Sequence, residues 1–579
     1  MKELLIGWLS SNSFDNNIHE SVLRFSLKQG LVVTEQCADS VLNIRLLGEN
    51  GDNGRKRIAS DNLHSLAWCG HVVAPDLPVW PSADVLLTKL GDKPIQKIAG
   101  WDGLFAVALF LKSERKLILA ADPFGMYPLY YARYGDGWVF SISIDLLLRC
   151  LPAKITLNTT AAAEYLHFHY CLGDKTLANE VVRVPQGCAL TLCLPDGRVQ
   201  CDRLWDMKEL PEPVAPPKGV PSEADVSELV TALDTAVERR LHHTGTNLCL
   251  LSGGWDSRAL AGLMTRRGLS FPTLTTYGDV GNLDDPECAR LVADELQLVN
   301  TYIPLPPDYL ARHWRDKCLA TDFATTMHTW LWPLTHQHDF SGAVNMDGIA
   351  GDVALKGLML STEHLALLNQ RDEDGLFEAL WRHHGVGDAL QRCLKPRVTN
   401  EWIERARQSL LAALACWDGH PNALSFFVIG HRTRRAIAAS PCLLLERRLR
   451  NVAPFLDRDF MKLAMGIPPQ HKLSGDLYRQ VLRTIRPSLD AIPSSNDKEW
   501  PATHPRRRRP VMATAAIQSY RDEIHRAADR LAGFVRPEFL TGEPPPESIR
   551  PSSAMAELRL SQALGELAFW MNEYGVEGE

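Results

Sequence analysis

Between residues 248 and 260 the chain reads L-C-L-L-S-G-G-W-D-S-R-A-L. Residues 248–251 suit a buried strand, and the apolar pattern that follows Ser257 suits a helix. Gly253 and Gly254 free the backbone from side-chain clashes at the turn between them. A helix start presents N–H groups without intrahelical partners and the positive end of the helix dipole, so this strand-loop-helix is built to hold an anion. Pyrophosphate is the expected occupant, gripped by Ser252, Gly253, Gly254 and Ser257. No Gly-Lys-Ser/Thr ending follows, which removes the Walker A alternative: it lacks the lysine for the terminal phosphates and the adjacent hydroxyl for magnesium. The expected chemistry is cleavage of ATP between its first two phosphates, giving AMP and pyrophosphate.

Such a loop needs a sheet behind it. After the loop strand, residues 259–267 read as a helix, residues 273–277 as a strand and residues 286–296 as a helix, an alternation that implies a parallel sheet. Helix-compatible stretches follow at residues 363–394 and 402–416. Upstream, short apolar runs at residues 104–111, 117–121 and 138–144 alternate with turn residues and predict a strand-rich half. The prolines of residues 211–221 block both helix and central strand and form the clearest seam. The reading is a domain over 1–210, a linker over 211–222 and a second domain over 223–579. No internal repeat is present.

A chain of 579 residues with 45% hydrophobic and 23% charged residues fits an ordinary globular protein of two domains. Its net charge of -7 supplies no general field toward nucleic acid or acidic lipid. The only dense basic run, residues 506–509, has no aromatic platform around it and reads as a solvated loop. The 13 cysteines include no C-x-x-C pair and are odd in number, which argues for reduced thiols and a cytoplasmic home. No signal or membrane-spanning segment is expected.

Ser252-Gly253-Gly254-Trp255-Asp256-Ser257 resembles the Ser-Gly-Gly-x-Asp-Ser signature of the asparagine synthetase superfamily. Residues 345–357, N-M-D-G-I-A-G-D-V-A-L-K-G, resemble its second signature, with Asp352 at the family aspartate. The resemblance implies ATP and Mg2+ as cofactors, with Asp256 and Asp352 as metal ligands, the alternative for Asp352 being a simple turn aspartate. It also implies that Leu250, Tyr277 and Gly351 join the loop residues and Asp256 around ATP and pyrophosphate. Lys498 lies where related enzymes neutralise charge developing on pyrophosphate, or else is a solvated surface residue. Arg483 is the other candidate for that catalytic role, or a structural ion pair. Ile349 stands where asparagine synthetases carry Glu and beta-lactam synthetases Tyr, and Val353 replaces the usual second acid. Ile349 cannot move a proton, so any deprotonation falls to another group.

Residues 101–110 and 119–131, with residues 184–187, resemble the later part of a class II glutamine amidotransferase domain. The expected fold is therefore α/β: a strand-rich α+β sandwich of amidotransferase type, then an ATP-pyrophosphatase domain with a parallel sheet and surrounding helices. That family hydrolyses glutamine with an N-terminal cysteine. This chain starts Met1-Lys2-Glu3, and the family Asn-Gly-Glu segment is missing around Gly70, so glutaminase activity is expected to be absent. His167 and His169 share one face if their segment is a strand, without a third ligand. They are expected to be structural, as are His336 with His338 and His383 with His384.

Residues 426–435, ending His431-Arg432-Thr433-Arg434-Arg435, resemble an arginine-rich helix of lasso peptide cyclases, whose guanidinium groups suit a phosphate or peptide carboxylate. These features together make a lasso peptide cyclase the expected function, adenylating an Asp or Glu side chain of a precursor peptide for attack by its N-terminal amine. The expected partners are that peptide and the leader peptidase and leader-recognition protein of the same pathway, with no nucleic acid and no membrane. A small-molecule amide ligase and a non-catalytic scaffold are the alternatives.

Overall fold

The computed structural model describes all residues except 1–2, 11–15, 50–55, 152–153, 195, 213–220, 279–283, 338–339, 341, 385, 387, 496–512, 549–553 and 579. The first half contains two six-stranded sheets whose paired strands are antiparallel. The strand Asp102–Leu111 shows how they pack. Its alternate residues Leu104, Ala106, Ala108 and Phe110 enter the main core of the molecule. Phe105, Val107 and Leu109 enter a second core beneath the helices Ala83–Leu90 and Pro94–Ala99. A strand buried on both faces reads as a continuous apolar run rather than an alternating one. Each of its large side chains contributes roughly 1.5–3 kcal/mol by leaving water.

The second half carries a five-stranded parallel sheet in the spatial order Asn300–Pro304, Thr273–Tyr277, Asn247–Leu250, Val344–Met346, Arg450–Val452. The loop strand is therefore central. The helices Trp255–Arg266 and Asp285–Leu296 follow the first two crossings, as the alternation predicts. The segment Arg450–Val452, for which the sequence offered no strand reading, is the fifth strand. Residues 363–394 are broken into three helices, Thr362–Gln370, Glu373–His384 and Ala389–Cys393.

The last helix, Ala554–Tyr574, returns to the first half. There the buried Lys317 ammonium donates to both Glu566 oxygens at 2.9 Å and to the Thr325 carbonyl at 2.8 Å. Tyr165 Oη, on the helix Thr159–Phe168, donates to Glu566 Oε2 at 2.8 Å. A buried carboxylate with this many donors keeps its charge compensated.

His167 and His169 are not on a strand. His167 lies in the helix Thr159–Phe168, stacked on Trp381, and its Nε2 bonds the Trp381 carbonyl oxygen at 3.0 Å. His169 caps that helix at φ +70° and meets Thr326 Oγ1 at 3.0 Å. The alternation of polar and aromatic residues in L-H-F-H-Y imitates a strand, but the run of alanines before it, with Asn158 accepting from the Ala161 N–H, starts a helix. Among the described residues no two cysteines are joined by a disulfide. Among the described residues no helix is long and apolar enough to cross a membrane.

Candidate functional site

The loop after the central strand closes on itself. Ser252 N–H donates to Ser257 Oγ at 3.1 Å, Gly254 N–H to Ser252 Oγ at 3.2 Å, and Gly253 N–H to Asp285 Oδ1 at 3.0 Å. The last contact places a carboxylate on a loop amide, the chemistry expected of an anion-binding turn. A Cβ on Gly253 would lie 2.8 Å from Cys288 Cβ and 2.7 Å from both Asp285 Oδ1 and Ser495 Oγ, so a side chain there would displace its neighbours. Behind the loop the buried Arg258 guanidinium donates to the carbonyls of Gly253, Leu489, Ile492 and Pro493. These bonds pin the segment leading to Ser495, whose N–H donates to Gly253 O at 3.3 Å. Lys498 lies just beyond, outside the described residues.

The second signature lies directly against the first. A Cβ on Gly348 would come within 2.7 Å of Asp256 Cβ, and one on Gly351 within 2.7 Å of Asp256 Oδ1. Between them Ala350 holds φ +73°, a left-handed conformation that a side chain disfavours and a packed site must enforce. Tyr478 Oη donates to Asp256 Oδ1 at 2.6 Å. Burial and the neighbouring Asp352 hold the Asp256 carboxyl well above the usual carboxylate range, against the opposing pull of Tyr478 and the Lys356 ammonium. Burial also raises Asp352, opposed by Arg432 and Lys356. Two buried carboxylates, one raised by the other, make a site that favours added positive charge. Among the described residues no group of three or more acidic, histidine or cysteine side chains is arranged to hold a metal. The pair still fits Mg2+, which characteristically takes one or two carboxylates and completes its shell with phosphate oxygens and water.

Leu250 and Tyr277 end adjacent strands at the carboxyl edge of the sheet, where ligands of parallel sheets bind. Tyr277 is exposed and its ring packs edge-on to Tyr302 at 6.5 Å. Gly351 meets Asp256 rather than open space. Arg483 is engaged in an ion pair, its Nε on Asp490 Oδ2 at 2.7 Å, with about half of the side chain exposed.

Four site residues escaped the sequence reading: Tyr478, Lys356, Arg479 and Asp347. The Lys356 ammonium lies 4.4 Å from the Trp255 ring centroid and the Arg479 guanidinium 5.8 Å from it. Asp347 ends the strand beside the loop strand. Its Oδ1 accepts from the Ile349 N–H at 2.9 Å, and burial raises its pKa to about 6. Asp347 and Lys356 stand inside the 345–357 signature, and Lys356 lies four residues after Asp352, which were the available sequence signals.

The arginine-rich segment is a π-helix, Val428–Ile437. Two of its guanidinium groups serve neither phosphate nor carboxylate of a ligand. Arg434 donates to Gly125 O and Val184 O and pairs with Asp174 at 2.7 Å. Arg435 donates to Gly173 O and Lys175 O. Both are buried, and they fasten the second half to backbone of the first. Arg432, two residues before Arg434, is partly exposed and is the one whose charge acts on Asp352.

In the first half, Gly70 holds φ +92°, and Arg57 donates to its carbonyl and pairs with Glu3 at 3.2 Å. Cys69 is buried, which pushes its thiol far up and keeps it protonated. The thiol nearest the missing Asn-Gly-Glu segment is therefore no nucleophile.

Two antiparallel sheets joined to a parallel sheet with a Ser-Gly-Gly loop and a facing aspartate define a class of fold: a strand-rich domain coupled to an α/β domain. Residues 228–493 match the family model described as asparagine synthase, and residues 82–205 that of the glutamine amidotransferase domain. The second half of the chain is thus similar to the asparagine synthase family and the first to the glutamine amidotransferase domain. The chain is similar to a putative glutamine-hydrolyzing asparagine synthetase of Mycobacterium bovis, 28% identical over 193 residues, 32% of this chain and 28% of that protein. It is also similar to asparagine synthetase 1 of Bacillus subtilis, 25% identical over 208 residues, 36% of this chain and 31% of that protein. The human asparagine synthetase is 29% identical over 214 residues, 35% of each chain. The matched region thus spans about a third of these relatives. A solved glutamine phosphoribosylpyrophosphate amidotransferase of B. subtilis aligns with 52% of this chain and 65% of its own at 11% identity and TM-score 0.23, too slight to bear on the fold.

Proposed function

We propose that this chain is an ATP-dependent, AMP-forming carbon-nitrogen ligase that closes a precursor peptide into a macrolactam, as lasso peptide cyclases do. The observation that carries the ligase reading is the convergence of Asp256, from the first signature, with the second-signature loop and Asp352. In this reading a substrate carboxylate oxygen attacks the α-phosphorus of ATP. The bond from that phosphorus to the bridging oxygen breaks, and pyrophosphate leaves with the electron pair. The substrate amine nitrogen then attacks the acyl carbon, the bond to AMP breaks, and the amine gives up a proton. Ser252, Gly253, Gly254 and Ser257 hold the pyrophosphate, and Asp256 and Asp352 hold Mg2+, which when bound compensates phosphate charge. Tyr478 orients Asp256.

Ile349 cannot accept the amine proton. Asp347, two residues earlier and bonded to the Ile349 N–H, has a pKa of about 6 and is ionised near neutral pH. It is the carboxylate of this rim suited to that task. The buried Cys69 and the Arg57–Glu3 pair beside Gly70 support an amine donor other than glutamine-derived ammonia. A peptide that supplies both ends of the new bond gains the effective concentration of an intramolecular reaction. The proposed partners are the precursor peptide and the leader peptidase and leader-recognition protein of its pathway.

The test incubates the full chain with ATP, Mg2+, the peptidase and a precursor peptide. The expected result is a peptide lighter by one water, formed with AMP and pyrophosphate. AMP formed with a small amino acid but not with peptide would remove the macrolactam part. No AMP with either would remove the ligase.

A further inference from the structure

Lys356 closes the short helix Gly351–Lys356, four residues after Asp352, so the two side chains share a face. Gly357, at φ +59°, ends the helix there. The lysine ammonium lies over Trp255, the first residue of the helix that follows the pyrophosphate loop. That ring is itself fixed: Tyr478 packs edge-on at 5.5 Å, and a Cβ on Gly475 would touch it at 3.0 Å. Arg479 reaches the same ring but also approaches Asp490, with Nε 3.6 Å from Oδ1. Among the described residues no carboxylate lies within ion-pair distance of Lys356. A cation at a loop mouth, seated on an aromatic face and facing two carboxylates without pairing with either, is placed for an anion that comes from outside.

We propose that Lys356 is a phosphate ligand of the nucleotide site, leaving the Trp255 face to bind the β- and γ-phosphate oxygens of ATP and the pyrophosphate they become. The proposal rests on the reading that the loop holds ATP. Charge balance supports it. A divalent cation neutralises Asp256 and Asp352 and little more, so the polyphosphate needs further positive charge. An ammonium gains more from a charge-assisted bond to phosphate oxygen than from an indole face. The indole gives the lysine stem a rest position close to where it is used.

The experiment titrates inorganic pyrophosphate with Mg2+ into the full chain by calorimetry, for the natural sequence and for Lys356→Met, Lys356→Gln and Lys356→Arg. Methionine keeps the apolar stem on Trp255 and removes only the charge. The Met and Gln variants are expected to bind about 10- to 100-fold more weakly, the size of one charge-assisted hydrogen bond, while Arg restores most of the affinity. Thermal unfolding identifies any variant that fails to fold, and the remaining ones decide. Affinity unchanged in a folded Met or Gln variant, with the natural chain binding normally, overturns the lysine assignment alone. Pyrophosphate that does not bind the natural chain overturns the nucleotide-site reading on which it depends.

Discussion

Replacing Asp347 by Asn should make the protein more stable and less active, with a stability gain that grows with pH. Burial raises this carboxyl from 3.8 to about 6, against the single N–H bond from Ile349. The folded protein therefore holds the proton more tightly than the unfolded chain does. Stability on this account is highest below pH 3.8, falls as pH rises through the window from 3.8 to about 6, and is level above it. At about 1.4 kcal/mol for each tenfold change in proton affinity, the ionised group costs the fold about 3 kcal/mol at pH 8 and about 1.6 kcal/mol at pH 5. Asparagine keeps the Oδ1 that accepts from Ile349. It loses the long contact from Asn345 Nδ2 at 3.5 Å, a loss of about 0.5–1 kcal/mol. The net gain should be about 2 kcal/mol at pH 8 and smaller by about 1.4 kcal/mol at pH 5. Urea unfolding of both proteins at the two pH values measures it, and AMP release under saturating ATP measures the loss of turnover. A gain that does not change between pH 5 and pH 8 would refute the electrostatic argument, and full turnover would refute the role as proton acceptor.

Asp256→Asn should abolish AMP and pyrophosphate formation with the circular dichroism of the natural protein, because the amide still accepts from Tyr478 but no longer attracts a cation; normal turnover would remove the metal assignment. Arg434→Met should lower stability by about 3–5 kcal/mol, since it strands two buried carbonyls and unpairs Asp174. Urea denaturation reads that loss, and a change below about 0.5 kcal/mol would show that the junction does not depend on this side chain.

The loop was legible because its chemistry requires fixed residues in a fixed order, and the helices around it because their periods are long. The strands Val344–Met346 and Arg450–Val452 were not, because three residues carry no periodicity and their place in the sheet comes from neighbours far away in sequence. The two-core strand Asp102–Leu111 stood out as an apolar run, whereas His167 misled because alternation alone does not separate a strand from the end of a buried helix. Arg434 and Arg435 look like ligand arginines in sequence. Only the packing shows that their partners are backbone carbonyls of the other half. Tyr478 and Asp347 were passed over as site residues, although Asp347 stands inside the 345–357 signature, since a tyrosine on an amphipathic helix and an aspartate before a glycine are ordinary in any protein. Lys498 and the run at 506–509 lie outside the described residues.

One π-helix carries Arg432 toward Asp352 and, two and three positions later, anchors Arg434 and Arg435 in the amidotransferase-like half. The electrostatic setting of Asp352 is thus held in register by contacts with the other half of the chain. Deleting that half would leave two guanidinium groups without their carbonyls, so the first half serves as the jig in which Arg432 is aimed at Asp352.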